Sequence, residues 1–299
     1  MKHSGATYGL FKIVNKLFML FIGMITVYPY LNVAARAVND GADTFRGGLT
    51  IFPRVPTLDN FSIILNDAST GKAALVSVMR VVLGTIFALI VQFAAAYAFT
   101  KKGLFGRKVL LIYLTIPMFF SGGLIPQYLL YSKIGLLNNV LVYIIPAAFS
   151  FYNMIIIRTY MNTIPQSLEE SAKLDGANEI VILARIIIPL SLPILATVCL
   201  WIAVGHWNDW VTTLYFITNS RYHTLQFILV QMIQESDRIA KLLQEKLKDG
   251  VGVKAANSAA TPDAIRSAQV IITTLPIILV YPFLQKYFIK GVMIGGIKE

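Results

Sequence analysis

Apolar stretches long enough to cross a hydrocarbon layer recur along the chain, at about Leu10 to Val38, Ala73 to Thr100, Val109 to Tyr131, Val140 to Tyr160, Leu190 to Ile217 and Ala268 to Ile289. A spanning helix needs roughly 20 such residues. Only 14% of the 299 residues are charged and 56% are hydrophobic, against about 25% charged in soluble domains, so one soluble core could not hide this surface. The expectation is an all-α polytopic membrane protein with about six transmembrane helices, forming a single domain over 1–299. The first stretch follows Lys2, Lys12 and Lys16 and lacks a small-residue cleavage site, so it reads as a retained span rather than a removed signal peptide. Tyr28, Tyr30, Tyr97, Tyr113, Tyr131, Trp207, Trp210 and Tyr281 fall where amphipathic rings meet headgroups. Pro29, Pro117, Pro146 and Pro276 lie inside spans and are expected to kink them.

The basic excess, 26 Lys plus Arg against 15 Asp plus Glu, marks cytoplasmic loops rather than a nucleic-acid site, because no basic patch is interleaved with exposed aromatics. Lys101, Lys102, Arg107 and Lys108 share one side with Lys2, Lys12 and Lys16 and with Lys286, Lys290 and Lys298, which places both termini of a multi-pass membrane protein in the cytoplasm. The Asp40 to Lys72 loop, the turn at Lys133 to Asn139 and an external loop over 218–267 then face outward. In that last loop Leu225 to Lys248 reads as an amphipathic helix, followed by a flexible connector at Gly250 and Gly252. The helix either docks an external partner or lies on the membrane face of its own subunit.

The segment 161–190 is the most structured polar loop. Ser167 followed by Glu170 spells a capping box, with Pro165 upstream as a helix start. Asp175-Gly176 reads as the stop, where glycine tolerates a left-handed backbone, and Asn178 as the cap of a second helix running to Pro189. Leu168, Ala172, Ile180 and Leu183 would pack under the membrane helices or enter a partner's groove. The residues alone also fit an ordinary capped loop helix.

The run Ser167 to Ala177, continuing to Ile188-Pro189-Leu190-Ser191-Leu192-Pro193, resembles the EAA motif of ABC importer permeases. With Trp207-Asn208-Asp209-Trp210 and the tail Gln285 to Lys298, the likeness extends along the chain and points to the sugar-permease branch related to the maltose transporter's smaller permease and to complex-polysaccharide importers of Gram-positive bacteria. That resemblance implies the type I ABC importer permease fold and makes 161–190 a coupling helix seated in an ATPase, with Glu170, Ser171, Ala172, Asp175, Gly176 and Ala177 in the motif. Ser171 departs from the usual alanine. It also implies a second homologous permease, two cytoplasmic ATPase subunits, an external sugar-binding protein and surrounding membrane lipid as partners, with ATP and Mg held by the ATPase and no cofactor by this chain.

No phosphate-binding G-x-x-x-x-G-K-[ST] loop occurs, so ATP hydrolysis belongs to a partner. His3, His206 and His223 are scattered without a second metal ligand, the lone Cys199 excludes an intramolecular disulfide, and no nucleophile has an activating motif. The chain therefore has no catalytic residue and no metal site. Polar groups in spans mark pathways: Arg80 either lines one or snorkels outward. Trp207, Asn208, Asp209 and Trp210 combine rings for stacking with groups that bond hydroxyls, as sugars require, yet suit an aromatic belt equally. Gln127, Tyr128, Tyr152 and Asn153 are similar candidates. An amino-acid, peptide or ion importer with the same loop is the alternative within transport. A secondary transporter would be expected to show internal repeats, and none is found.

Overall fold

The computed structural model describes residues 6–248 and 261–296, with side chains over 8–238 and 261–282. Lys2, the Gly250 and Gly252 connector and the side chains of the Gln285 to Lys298 tail lie outside the described residues. Helices α1 (Ala6–Ala37), α2 (Gly41–Phe45), α3 (Asp59–Asn66) and α4 (Ala68–Thr100) come first. Next are α5 (Arg107–Phe119), α6 (Leu124–Lys133), α7 (Phe151–Met161) and α8 (Gln166–Leu174). The chain continues through α9 (Glu179–Ile182), α10 (Ile188–Leu190), α11 (Leu192–Asn208) and α12 (Val211–Phe216) to α13 (Leu225–Lys248) and α14 (Pro262–Gly296). No strand occurs among the described residues.

Among the described residues, three unbroken stretches are long and apolar enough to span a membrane, Tyr8–Ala37, Ala68–Thr100 and Pro262–Pro282. The expected span Val109 to Tyr131 is a bent pair instead, and the expected span Leu190 to Ile217 is joined to the loop helix before it through a second bend. Arg107–Phe119 and Leu124–Lys133 meet at 114°, because the Ser121-Gly122-Gly123 break lets Gly123 take φ +85°. Glu179–Leu190 and Leu192–Asn208 meet at 79°. Before that break the Ile188 amide donates to the Leu183 carbonyl, five residues back, so a π-turn runs up to Pro189, which has no amide to continue the helix. The stretch Val140 to Tyr160 is not one helix either: a 3-10 turn at Val140–Tyr143 is followed, beyond Pro146, by the eleven residues of α7. At 1.5 Å per residue α7 is about 16 Å long, half a hydrocarbon core.

The chain divides into two compact units. In the unit of Gly71–Ile228 and Pro276–Glu299, the main core joins Phe93, Ala96 and Phe99 of α4 to Met154, Ile157 and Met161 of α7, with Ile182, Ile187, Ile194 and Val198 along the α9 to α11 stretch. A second cluster gathers Val76, Tyr131, Val142, Tyr143 and Phe216.

In the unit of Met1–Thr70 and Leu229–Leu275, α1 keeps its apolar side chains exposed from Tyr8 to Tyr28, as a helix covered by lipid or by another chain does. Its end is anchored where Ala37, Ile64 and Ala268 pack together. Asn39, fully buried, organises the loop that follows. Its amide donates to Asp43 Oδ2 at 2.9 Å and Thr44 Oγ1 at 3.0 Å, and its Oδ1 accepts the Arg54 and Val55 amides at 2.8 Å. The Asn60 amide closes the ring on the Ala37 and Asn39 carbonyls. Asn39→Leu would strand several of these groups at about 1–3 kcal/mol each. The expected result is rapid protease cleavage between residues 40 and 58 in reconstituted protein, with wild-type-like resistance overturning the role.

Candidate functional site

The loop between α7 and α11 is built by backbone chemistry. Pro165, with φ −58° and ψ 128°, is the N-cap of α8, and no side chain caps it. The expected Ser167–Glu170 capping box is therefore absent: the helix begins at Gln166, Ser167 is already inside it, and only a residue outside the helical angles can cap. Glu170 and Ser171 are exposed, so Ser171 carries no burial cost.

The stop is as expected. Gly176 has φ +82°, the Ala177 amide donates to the Ala172 carbonyl at 2.9 Å and the Gly176 amide to Lys173 at 3.0 Å. This is the Schellman pattern of paired six-to-one and five-to-two bonds. Asn178 Oδ1 accepts the Val181 amide at 2.9 Å, which starts α9. Ala172, Ala177 and Leu183 pack inward on the main core. Leu174 and Ile180 face out, 90% and 76% exposed, and Leu168 is also exposed; of the four apolar residues expected to pack, two do so within this chain.

An ionic network that sequence reading did not assign backs the loop. Lys101, just past α4, bonds Glu169 of α8 and lies 3.3 Å from Glu179 of α9. Lys173 is 2.7 Å from Glu179, and the Tyr97 hydroxyl donates to Glu179 at 2.6 Å. Lys173, then Tyr97 and Lys101, hold the Glu179 carboxyl down to about 2 against the opposing effect of burial. Desolvation lowers the Lys101 ammonium, but Glu169 and Tyr97 outweigh it and the net shift is upward. The i, i+4 placement of Tyr97 and Lys101 on one helix face was a usable signal; no local pattern announced their partners some 70 to 80 positions away.

The second constellation lies at the break after α11. Arg80 does not snorkel: it is 3% exposed, donates from Nη1 to the Asp209 carbonyl at 2.7 Å and pairs through Nη2 with the Asp209 carboxylate. Its guanidinium lies 4.5 Å from the centre of the Tyr143 ring, and the Tyr143 hydroxyl donates to the Tyr222 carbonyl at 2.7 Å. Asp209 Oδ1 accepts the Thr212 amide at 3.1 Å, holding the start of α12.

Arg80, Asp209 and Gln127 line one pocket of about 210 Å³ with Tyr131, Tyr143 and Thr212. The other expected pathway residues do not join them there. Trp207 lines a separate apolar pocket of about 250 Å³ with Val78, Leu200 and Tyr281. Asn208 is exposed, Trp210 is the N-cap of α12, Tyr152 stacks on Trp201 at 6.3 Å, and the Asn153 amide donates to Ser150. Among the described residues no group of three or more His, Cys, Asp and Glu is placed to hold a metal.

Residues 6–294 match the family described as the binding-protein-dependent transport system inner membrane component, and the chain belongs to that family. It is therefore a membrane-bound transport component. Protein LplC of Bacillus subtilis is 38% identical over 288 residues, 96% of this chain and 95% of that protein. The polygalacturonan/rhamnogalacturonan transport system permease protein YtcP of Bacillus subtilis is 32% identical over 94% of this chain and 96% of its own. A chain from the crystal structure of a bacterial ABC transporter involved in the import of the acidic polysaccharide alginate superposes with a TM-score of 0.85 at 26% identity, covering 96% of this chain and all of that one.

Breaking a buried ion pair from one side leaves an uncompensated charge and costs about 3–5 kcal/mol, whereas replacing both partners is far milder. Arg80→Met and Asp209→Leu are each expected to lower thermal unfolding of the purified protein strongly, and the double variant to recover part of the loss. Additive losses in that cycle would show that the two charges do not act as a pair.

Proposed function

We propose that the chain is the permease subunit of an ATP-driven importer for sugars, with oligosaccharides as cargo. The observation that carries the reading is the two-faced loop at 166–187. Its inner face is fixed to the main core by Ala172 and Ala177, and its outer face leaves Leu174 and Ile180 in the open. Apolar groups so exposed on a capped, rigid turn suit a groove on a partner. In this reading two cytoplasmic ATPases supply the grooves, one for this chain and one for a second, similar permease. ATP and Mg belong to those ATPases, and Glu170, unused by any cap, meets a cation there. Asp175, Gly176 and Ala177 shape the turn.

Closure of the ATPases pushes the two loops together and turns the pathway outward, where a sugar-loaded binding protein releases its cargo. That protein must prefer the outward form, since a ligand biases a switch only through unequal affinity. The pathway pocket is electrically balanced, because Arg80 and Asp209 neutralise each other. Its phenols, amide and hydroxyl offer the donors and acceptors that sugar hydroxyls need. A relative named for polygalacturonan/rhamnogalacturonan transport and a solved structure named for alginate import support carbohydrate as the cargo class.

Orientation follows from the same loop. The contacts of Lys101 with Glu169 and Glu179 put the α4–α5 turn beside it, and this basic end faces the cytoplasm. Asn138 accepts the Thr218 and Asn219 amides, which groups the two turns assigned to the outside. Both termini are then cytoplasmic.

Purification of the tagged protein from its native membrane in mild detergent is expected to recover a second permease and an ATPase, identified by mass spectrometry. A lone chain or homo-oligomer, under conditions that keep a known complex intact, would overturn the reading. Gly176→Val forces a β-branched residue into the left-handed region, at about 1–2 kcal/mol, with no neighbour within 4 Å to clash. It is expected to cut ATP-driven uptake by at least about tenfold while leaving the membrane level of the protein unchanged. Undiminished uptake with normal ATPase recovery would show that the turn has no coupling role.

A further inference from the structure

Two mechanical routes lead away from the loop, one covalent and one not, and they differ in stiffness. Forward along the chain, α11 is reached only through the π-turn at Leu183–Ile187, Pro189 and the 79° break at Ser191. Each of these is a place where a helix bends under load. Displacement of the loop would be partly absorbed there before it reached Asp209 at the far end of α11. By contrast, α4 is unbroken from Ala68 to Thr100, and from the loop end to Arg80 it covers roughly 30 Å at 1.5 Å per residue. No covalent link joins α4 to the loop. The link is Lys101.

The Lys101 ammonium sits 4.1 Å from the centre of the Tyr97 ring, on the last turn of α4. It reaches Glu169 on α8 and Glu179 on α9, so one side chain bridges both limbs of the loop. Glu179 is held in turn by Lys173 and by the Tyr97 hydroxyl. Roughly 30 Å back along the same helix, Arg80 binds Asp209. Lys101 and Arg80 thus attach two well-separated levels of one unbroken helix to the two ends of the jointed α9 to α11 stretch.

We infer that Lys101 is a positioning residue for the transport stroke: it grips both limbs of the coupling loop against the end of α4, so that loop displacement travels along α4 to the Arg80–Asp209 contact. This rests on the permease reading above. It separates Lys101, which would transmit the stroke, from Leu174 and Ile180, which would receive it.

The test uses the complex recovered from the membrane, placed in liposomes, with Cys199 replaced by serine and Ala147→Cys introduced as a reporter. Ala147 lines the Arg80–Asp209 pocket, is exposed and touches neither charge in the pairing described. ATP with vanadate is the probe, so no cargo has to be known. The readouts are ATP hydrolysis and the rate at which a water-soluble maleimide labels Cys at 147. With Lys101 present, trapping is expected to change that rate. Lys101→Met and Glu169→Gln, the latter keeping shape while losing the charge, are expected to hydrolyse ATP yet shrink the labelling response by about fivefold to tenfold. Lys101→Arg should retain it.

A full response in both neutral variants overturns the inference, as does a complex with Lys101 that hydrolyses ATP with no response at 147. If Lys101→Met fails to assemble, Glu169→Gln decides alone by the same criterion. Failure of the permease reading shows itself earlier and separately, as the absence of any ATPase in the recovered complex.

Discussion

A guanidinium stands almost wholly buried among apolar helices at a high cost unless its charge is met where it lies, and the way Arg80 is met fixes much around it. Both terminal nitrogens go to one residue: Nη1 to the Asp209 carbonyl and Nη2 to its carboxylate. Asp209 is the residue at which α11 stops. A helix that ends inside an apolar environment leaves carbonyls without donors, so the cation answers a backbone need and a charge at once. The same carboxylate holds the Thr212 amide, and the Tyr143 ring closes the cation's face. The Arg80–Asp209 pair thereby ties together four segments of one unit.

One turn further along, a different constraint brings the same two helices close. A Cβ on Gly84 would come within 2.6 Å of His206 Nε2, so only glycine lets α11 approach α4 at that level. Arg80 and Gly84 are four apart, His206 and Asp209 three apart, which is the spacing that puts pairs on one helix face. The contact is therefore two layers deep, polar in one and steric in the other. Elsewhere the breaks have equally local causes: Gly123 at a positive φ between α5 and α6, and Pro189 after the π-turn.

How far this was legible depended on the range of each interaction. The Gly176 turn and the Asn178 cap are written within a few residues, and the structure has both. The capping box was also a local pattern, but Pro165 starts α8 one residue before Ser167, which leaves Ser167 inside the helix and Glu170 free of a cap. Span length misled where breaks were carried by glycine or proline inside apolar runs, as at 121–123 and around Pro146. Composition could place Arg80 in a span yet could not choose between snorkelling and pairing, because its partner stands 129 positions away. The Trp207 to Trp210 run looked like one cluster; the end of α11 falls within it and sends its members to different surroundings.

The loop shows why neighbouring residues of like chemistry need not share a role. Successive positions on a helix diverge by about 100°, so Glu169 turns inward to Lys101 while Glu170 faces outward. Ala172 packs on the core while Leu174, two residues on, is 90% exposed. The backbone turn makes the loop stiff in itself, whereas its attachment to α4 is made of part-exposed ion pairs. Such pairs are individually weak, typically below about 1 kcal/mol. Several of them converging on Lys101 and Glu179 still define an angle, because displacing either limb must disturb them together. A stiff element held by a joint of many weak contacts can be moved as a body without being remade, and that is the mechanical property a part pushed from outside has to have.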